Sequence, residues 1–338
     1  MRVLFRNTLA LALLGATTLP LGGAPAPAWE PHKPVAFVVP AGTGGGADQM
    51  ARLLKEIVIK NNLLKQPLII VNKGGGGGTE GFLEMKKLAG DPHNIIISLS
   101  NLFTTPYSTG APFSWKELTP VAMLALDQFA LWVPNDAPYL TAKEYIEAVK
   151  AAPDRKFKMG GTASKQEDQI ITAALERLTV PKTFTYIPFK GGGAVAAQLT
   201  DKMVDSSVNN PIEAVAQWRA GKLRPLCIFA AVRSTYRDKA TANMAWADVP
   251  TCKEAGVDVT YQMLRGIFMP SGVKPEAVAF YVDLFSKVRE TKDWQEFMKR
   301  GAFDNTFLSG PEFAKWLDKA DKEHYELMKE AKFLAPGK

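Results

Sequence analysis

The 338-residue chain holds only two cysteines and three histidines. Two cysteines exclude a disulfide-rich scaffold and a four-cysteine zinc site. His32, His93 and His324 lie far apart in the chain, so no metal centre is expected. The chain contains no G-x-S-x-G, H-E-x-x-H or C-x-x-C stretch and no phosphate-binding G-x-x-x-x-G-K-[ST]. A nucleophile with its base cannot be named, and an enzyme is not expected. Lysines and arginines form no block and no stripe interleaved with aromatics, which argues against nucleic acid as a partner. No apolar run reaches the roughly 20 residues of a membrane span. At 46% hydrophobic and 22% charged, the composition is that of a globular protein, not a disordered one.

Residues 1–28 read as a secretory signal peptide. Arg2 and Arg6 precede an apolar run, Leu9 to Leu14, and Ala26-Pro27-Ala28 offers small residues for cleavage near Ala28. Without them, 39 Lys and Arg against 34 Asp and Glu leave a charge of +5. Such mild, dispersed positive charge suits small anions. In an oxidising compartment Cys227 and Cys252 could form a disulfide. Cys227 falls in an apolar strand, and the preferred reading is two buried small hydrophobes.

Short apolar runs alternate with amphipathic ones. Val35 to Val39, Leu68 to Val71 and Asn94 to Leu99 read as strands; Met50, Leu53, Leu54, Ile57 and Val58 mark a helix between the first two. The middle repeats the theme, with strands at Phe129–Val133, Phe184–Phe189 and Val204–Val208. Capping boxes at Thr141-x-x-Glu144, Ser164-x-x-Glu167, Thr251-x-x-Glu254 and Ser309-x-x-Glu312 predict helix starts. Further strands are expected at Leu226–Val232 and Tyr261–Met269. This is the pattern of parallel sheets with crossover helices.

Fourteen of the 27 glycines fall at four strand ends: 42–46, 74–78, 160–161 and 191–193. A glycine turn before a helix N-terminus lets an anion approach unpaired backbone N–H groups. The carboxyl ends of strands form the ligand edge of such sheets. Gly42 to Ala47 also fits the G-x-G-x-x-[GA] dinucleotide fingerprint. The next strand ends in Asn72 where an acid should hold the ribose, so no nucleotide cofactor is expected. Asp48 suits the helix dipole and can order the glycine loop.

In order along the chain come Val39-Pro40-Ala41-Gly42-Thr43-Gly44-Gly45-Gly46-Ala47-Asp48, Asn72-Lys73-Gly74-Gly75-Gly76-Gly77-Gly78, Ile187-Pro188-Phe189-Lys190-Gly191-Gly192, Arg219-Ala220-Gly221-Lys222-Leu223-Arg224-Pro225-Leu226 and Asp248-Val249-Pro250-Thr251. With these motifs, residues 33–335 resemble the solute receptors of tripartite tricarboxylate transporters, the Bug-type receptors. The resemblance implies a two-lobed α/β fold of the periplasmic binding protein kind (type II-like), with mixed sheets flanked by helices and two crossing hinge strands, near 125–133 and 224–232. Lobe 1 is expected over 29–126 and 234–338, lobe 2 over 127–233. It implies a periplasmic, monomeric receptor that captures a small di- or tricarboxylate and hands it to membrane subunits. A sensory receptor or, less favoured, an exported enzyme are the alternatives.

Carried over by position, backbone amides of one turn per lobe hold the carboxylate. The first-lobe turn supplies Gly44, Gly45, Gly46 and Asp48, and the second-lobe turn supplies Gly161, Thr162, Ala163 and Ser164. Ser100, Asn101, Asn209 and Asn210, at strand ends, line the cleft. Lys165, Lys190 and Arg265 are further candidates for a carboxylate. Ala41 stands where the family carries an aromatic and Thr43 where it carries proline. The second-lobe turn, Gly160 to Glu167, also departs from the family's G-S-x-G-x-G-S-x-x-H.

Overall fold

The computed structural model describes residues 29–337; the signal-peptide reading lies outside them. In chain order the elements of the first half are β1 (Val35–Val39), α1 (Gly46–Lys60), β2 (Leu68–Asn72), α2 (Thr79–Lys87), β3 (Asn94–Ser98), α3 (Asn101–Thr109), β4 (Leu118–Gln128), β5 (Ala130–Pro134), α4 (Ala142–Ala151) and β6 (Lys158–Thr162). There follow α5 (Glu167–Thr179), β7 (Thr185–Phe189), α6 (Gly192–Thr200), β8 (Ser206–Asn209), α7 (Pro211–Arg219) and β9 (Leu223–Ile228). The last third carries β10 (Gln262–Pro270), α8 (Pro275–Arg289), α9 (Lys292–Arg300), β11 (Leu308–Ser309) and α10 (Gly310–Glu330).

Two mixed sheets result. The first has the order β11-β4-β10-β3-β1-β2, the second β7-β6-β8-β5-β9. Each has a parallel trio, β2-β1-β3 or β7-β6-β8, extended by antiparallel strands. Helices cover both faces, so alternate residues of one strand enter different cores. Phe37 and Val39 of β1 pack with Met50, Leu54 and Ile57 of α1, whereas Val38 packs with Phe82 of α2 and Phe103 of α3. In β5, Leu131 and Val133 enter one cluster; Trp132 joins Trp218 and Trp246 in another. Each large apolar side chain buried this way contributes on the order of 2–3 kcal/mol.

The chain passes between the sheets twice. It leaves the first sheet from β4 to β5 around Phe129 and returns through Tyr261 into β10. Phe229 N–H donates to Phe129 O (2.9 Å), and Tyr261 N–H donates to Phe229 O (2.7 Å). The second crossing therefore includes Tyr261, beyond the expected 224–232. Residues 245–259, expected with lobe 1, pack on the second sheet instead. Trp246 and Val249 join the Trp132 cluster, Val257 and Val259 the Leu131 cluster, and Thr251 bridges Ile228.

That bridge explains a further correction. Cys227 and Cys252 are buried as expected, but they are joined as a disulfide, with their Cα atoms 4.8 Å apart. Cys252 N–H donates to Ile228 O (2.8 Å), so non-local pairing brings together residues 25 apart in sequence. Two capping boxes also differ from expectation. Thr251 and Glu254 do exchange reciprocal backbone bonds, but they close a turn and start no helix. Helix α5 follows Gln166, its N-cap residue, and Ser164 does not cap it. Among the described residues no helix is long and apolar enough to cross a membrane.

Candidate ligand-binding cleft

The carboxyl ends of the parallel trios face each other across a cleft between the lobes. Two adjoining cavities lie there, of about 130 and 70 Å³. Both are lined by Ala41, Gly42 and Leu99 of the first lobe and by Thr162, Glu167 and Lys190 of the second. These volumes are well below the roughly 300–1,000 Å³ of drug-sized sites and suit a small solute. A roomier hollow of about 680 Å³ lies apart, beside α10, with the buried His324 bonded to Tyr261.

The lobes touch at the cleft. Gly46 N–H, at the start of α1, donates to Glu213 Oε1 of α7 (2.8 Å). Thr104 Oγ1 of α3 donates to Gln166 Oε1 at the start of α5 (2.5 Å). Glycine at two positions makes room for these charged groups. A Cβ on Gly46 would stand 2.5 Å from Arg265 Nη2, and one on Gly192 would stand 1.8 Å from Glu213 Oε2.

Acidic side chains gather in the cleft alongside Arg265 and Lys190. Arg265 of β10 is fully buried and donates from Nε and Nη2 to Asp127 Oδ2, on the neighbouring strand β4. Among the described residues its Nη1 has no hydrogen-bond partner. Facing it are Glu167 and Asp168 at the start of α5 and Glu213 at the start of α7. Burial pushes the Asp127 carboxyl up to about 6 and Glu213 up to about 7, against the opposing pull of Arg265. Burial also raises Glu167, and it lifts Asp168 well above the usual carboxylate range. Among the described residues, no group of three or more His, Cys, Asp or Glu is arranged to hold a metal ion.

The model for the tripartite tricarboxylate transporter family receptor, TctC, matches residues 50–332. The chain belongs to that receptor family. The family is one of periplasmic binding proteins rather than enzymes. The chain is similar to the UPF0065 protein in the gbd 5′ region of Cupriavidus necator, 28% identical, with 92% of this chain and 93% of that one covered. A TctC solute-binding protein from Polaromonas shares the fold at a TM-score of 0.66, 26% identical over 89% of this chain and 99% of that one. MatC from Rhodopseudomonas palustris, solved with bound malate, shares the fold at a TM-score of 0.74, 24% identical over 88% and 99%.

In this TctC receptor, the cleft gathers some of the residues expected from sequence. Gly45, Gly46, Asn101, Thr162, Ala163, Lys190, Asn210 and Arg265 line one cavity or the other. Asp48 does not; its carboxylate accepts from Gly44 N–H (2.8 Å), Asn72 Nδ2 (2.9 Å) and Arg52 Nε (2.9 Å), and so orders the glycine turn. Gly44, Gly161, Ser164, Lys165, Ser100 and Asn209 also stand outside the linings. Ser164 and Lys165 are exposed, whereas Gly161, Ser100 and Asn209 are buried behind the wall.

The expected amide donors are largely engaged within the chain. Gly44 N–H is bonded to Asp48, Gly46 N–H to Glu213, Thr162 N–H to Asp168 and Ala163 N–H to Phe189 O. Sequence reasoning missed Asp127, Glu167 as a cleft residue, Asp168 and Glu213. Glu167 read as half of a capping box. Glu213, two residues after Pro211 in a first helical turn, is the commonest kind of solvated acid.

Proposed function

We propose that this chain is a periplasmic receptor that closes its two lobes on a small organic carboxylate and delivers it to the membrane subunits of a tripartite transporter. The reading includes export as a monomer, with a signal peptide removed near Ala28. One observation carries it. In a member of this receptor family, buried Arg265 keeps Nη1 unpartnered beside a small interlobe cavity. A carboxylate accepts well from a guanidinium N–H, and the interaction strengthens in a water-poor cleft. Malate in the fold neighbour MatC is a solute of the same size and chemistry. Closure needs only differential affinity of the solute for the closed arrangement.

The test is a thermal-shift screen of mono-, di- and tricarboxylates against neutral and aromatic solutes. A carboxylate present at about 100 times Kd adds roughly 2.7 kcal/mol of stability. If neutral or aromatic solutes raise the melting temperature and no carboxylate does, the proposal fails.

A further inference from the structure

Two neighbouring acceptors at the cleft lack a donor between them. Asn209, at the end of β8, is 1% exposed, and its Nδ2 donates to Gly192 O (2.9 Å). A backbone carbonyl only accepts, so the amide cannot be turned round and Asn209 Oδ1 stays an acceptor. Among the described residues no group donates to that oxygen. Its neighbour is Glu213 Oε2: a Cβ on Gly192 would stand 1.8 Å from Glu213 Oε2 and 2.5 Å from Asn209 Oδ1. The other oxygen of the same carboxyl, Oε1, accepts from Gly46 N–H across the cleft (2.8 Å). A proton on Glu213 Oε2 supplies the missing donor. Without it two acceptors face each other, one of them charged, and a buried acceptor without a donor is costly.

Of the elements packed round Glu213, α6 and β8 carry no titratable side chain, and Asp48 of α1 is turned to Gly44, Asn72 and Arg52. Arg265 of β10, paired with Asp127, and the exposed Lys190 before α6 favour the ionised form of Glu213, as does the Gly46 N–H. Asp127 of β4 and Glu167 and Asp168 of α5 oppose it as like charges. Their own carboxyls are raised by burial as well, so the cluster as a whole resists ionisation. Helix α7 also packs on β9 and α9. There Arg224 donates to Asn135 O (2.6 Å) and Ala137 O (2.7 Å), and Lys299 pairs with Asp238 and Glu296. Burial decides the balance at Glu213 and raises its carboxyl to about 7.

We propose that Glu213 is a proton-dependent latch between the lobes. Protonated, it bridges Gly46 of the first lobe and Asn209 of the second and shuts the solute-free cleft; ionised, it loses Asn209 and lets the lobes part. The other link across the cleft, Thr104 to Gln166, joins two neutral side chains and does not change with pH. The proposal concerns the solute-free protein and stands whatever solute the cleft takes.

Small-angle scattering of the solute-free protein tests it. The radius of gyration of wild type is expected to rise between about pH 5.5 and about pH 8.5, with its midpoint near 7. Glu213→Gln puts an amide that always donates in place of the protonated oxygen, and is expected to keep the small radius at both pH values. Glu213→Ala is expected to show the large radius at both. Circular dichroism confirms that each variant is folded. A wild-type radius that does not rise with pH overturns the proposal. So does a folded Glu213→Gln that expands as wild type does, or a folded Glu213→Ala that stays compact. If neither variant folds, the wild-type profile decides alone.

Discussion

Glu213 of the second lobe accepts a hydrogen bond from the backbone N–H of Gly46 in the first, at 2.8 Å. The amide that opens α1, where the resemblance places a ligand carboxylate, is thus held by the protein's own carboxylate. Glu213 joins the lobes without a solute and competes with any solute for that donor. Glu213→Ala removes the link, and a hydrogen bond to a charged group is worth about 1.5–3 kcal/mol. Small-angle scattering of the ligand-free variant is expected to show a larger radius of gyration than wild type. An unchanged radius would mean that other contacts hold the lobes together.

Gly192→Ala acts on the same link from the other side. The new Cβ would meet Glu213 Oε2 at 1.8 Å and Asn209 Oδ1 at 2.5 Å, so the glutamate must swing away from Gly46. A folded protein with the scattering profile of Glu213→Ala is expected. Gly191→Ala is the control, because a Cβ there meets nothing within 4 Å. Equal behaviour of the two alanine variants would contradict this account.

Stability should depend on pH through the acidic wall. Asp127 and Glu213 have carboxyls raised to about 6 and about 7 by burial, against ordinary values of 3.8 and 4.5. The unfolded chain gives up these protons first, so it binds fewer of them over the intervening range. Their stabilising contribution is therefore full below about pH 4 and lost as pH rises toward 7. Chemical denaturation of the ligand-free protein at several pH values is expected to show a weaker decline with rising pH in Glu213→Gln than in wild type. Parallel curves would remove Glu213 from the explanation.

The disulfide closes a separation of 25 residues and anchors 245–259 to β9. Replacing Cys227 and Cys252 together by serine is expected to cost about 3.5 kcal/mol in denaturant unfolding, by the loop-entropy relation. A loss near zero would show that the Trp132–Trp218–Trp246 packing already holds the segment.

Arg265→Gln strands a buried acid. Asp127 is fully buried and pairs with that arginine, so removing the arginine alone is expected to destabilise by about 3–5 kcal/mol. Asp127→Asn combined with Arg265→Gln should recover much of the loss without restoring solute binding. Binding by the recovered double variant would take Arg265 out of the site.

Much of the scaffold was legible because it is written in local patterns. The run Val35–Val39, the stripe from Met50 to Val58 and the glycine turns each carry a short-range signal, and the structure has β1, α1 and strand-end turns there. The cleft was legible only in part. Gly46 stands in a family motif and Arg265 is a further candidate cation for a carboxylate, but their partners Glu213 and Asp127 lie 167 and 138 residues away in sequence. No local spacing announces such pairs. The glycine clusters were read as access for a ligand to the backbone, yet at Gly46 and Gly192 the space is taken by the protein's own Arg265 and Glu213. The disulfide was missed for the same reason: only the Ile228–Thr251 bridge brings the two cysteines together.

The central claim is that the interlobe cleft takes a small carboxylate through Arg265. Mass spectrometry of the solute released on denaturing natively purified protein tests it most directly. The account predicts a small molecule with at least one carboxylate, at near one equivalent, lost from the Asp127→Asn, Arg265→Gln double variant. A released solute without a carboxylate, or one retained equally by that variant, would contradict it.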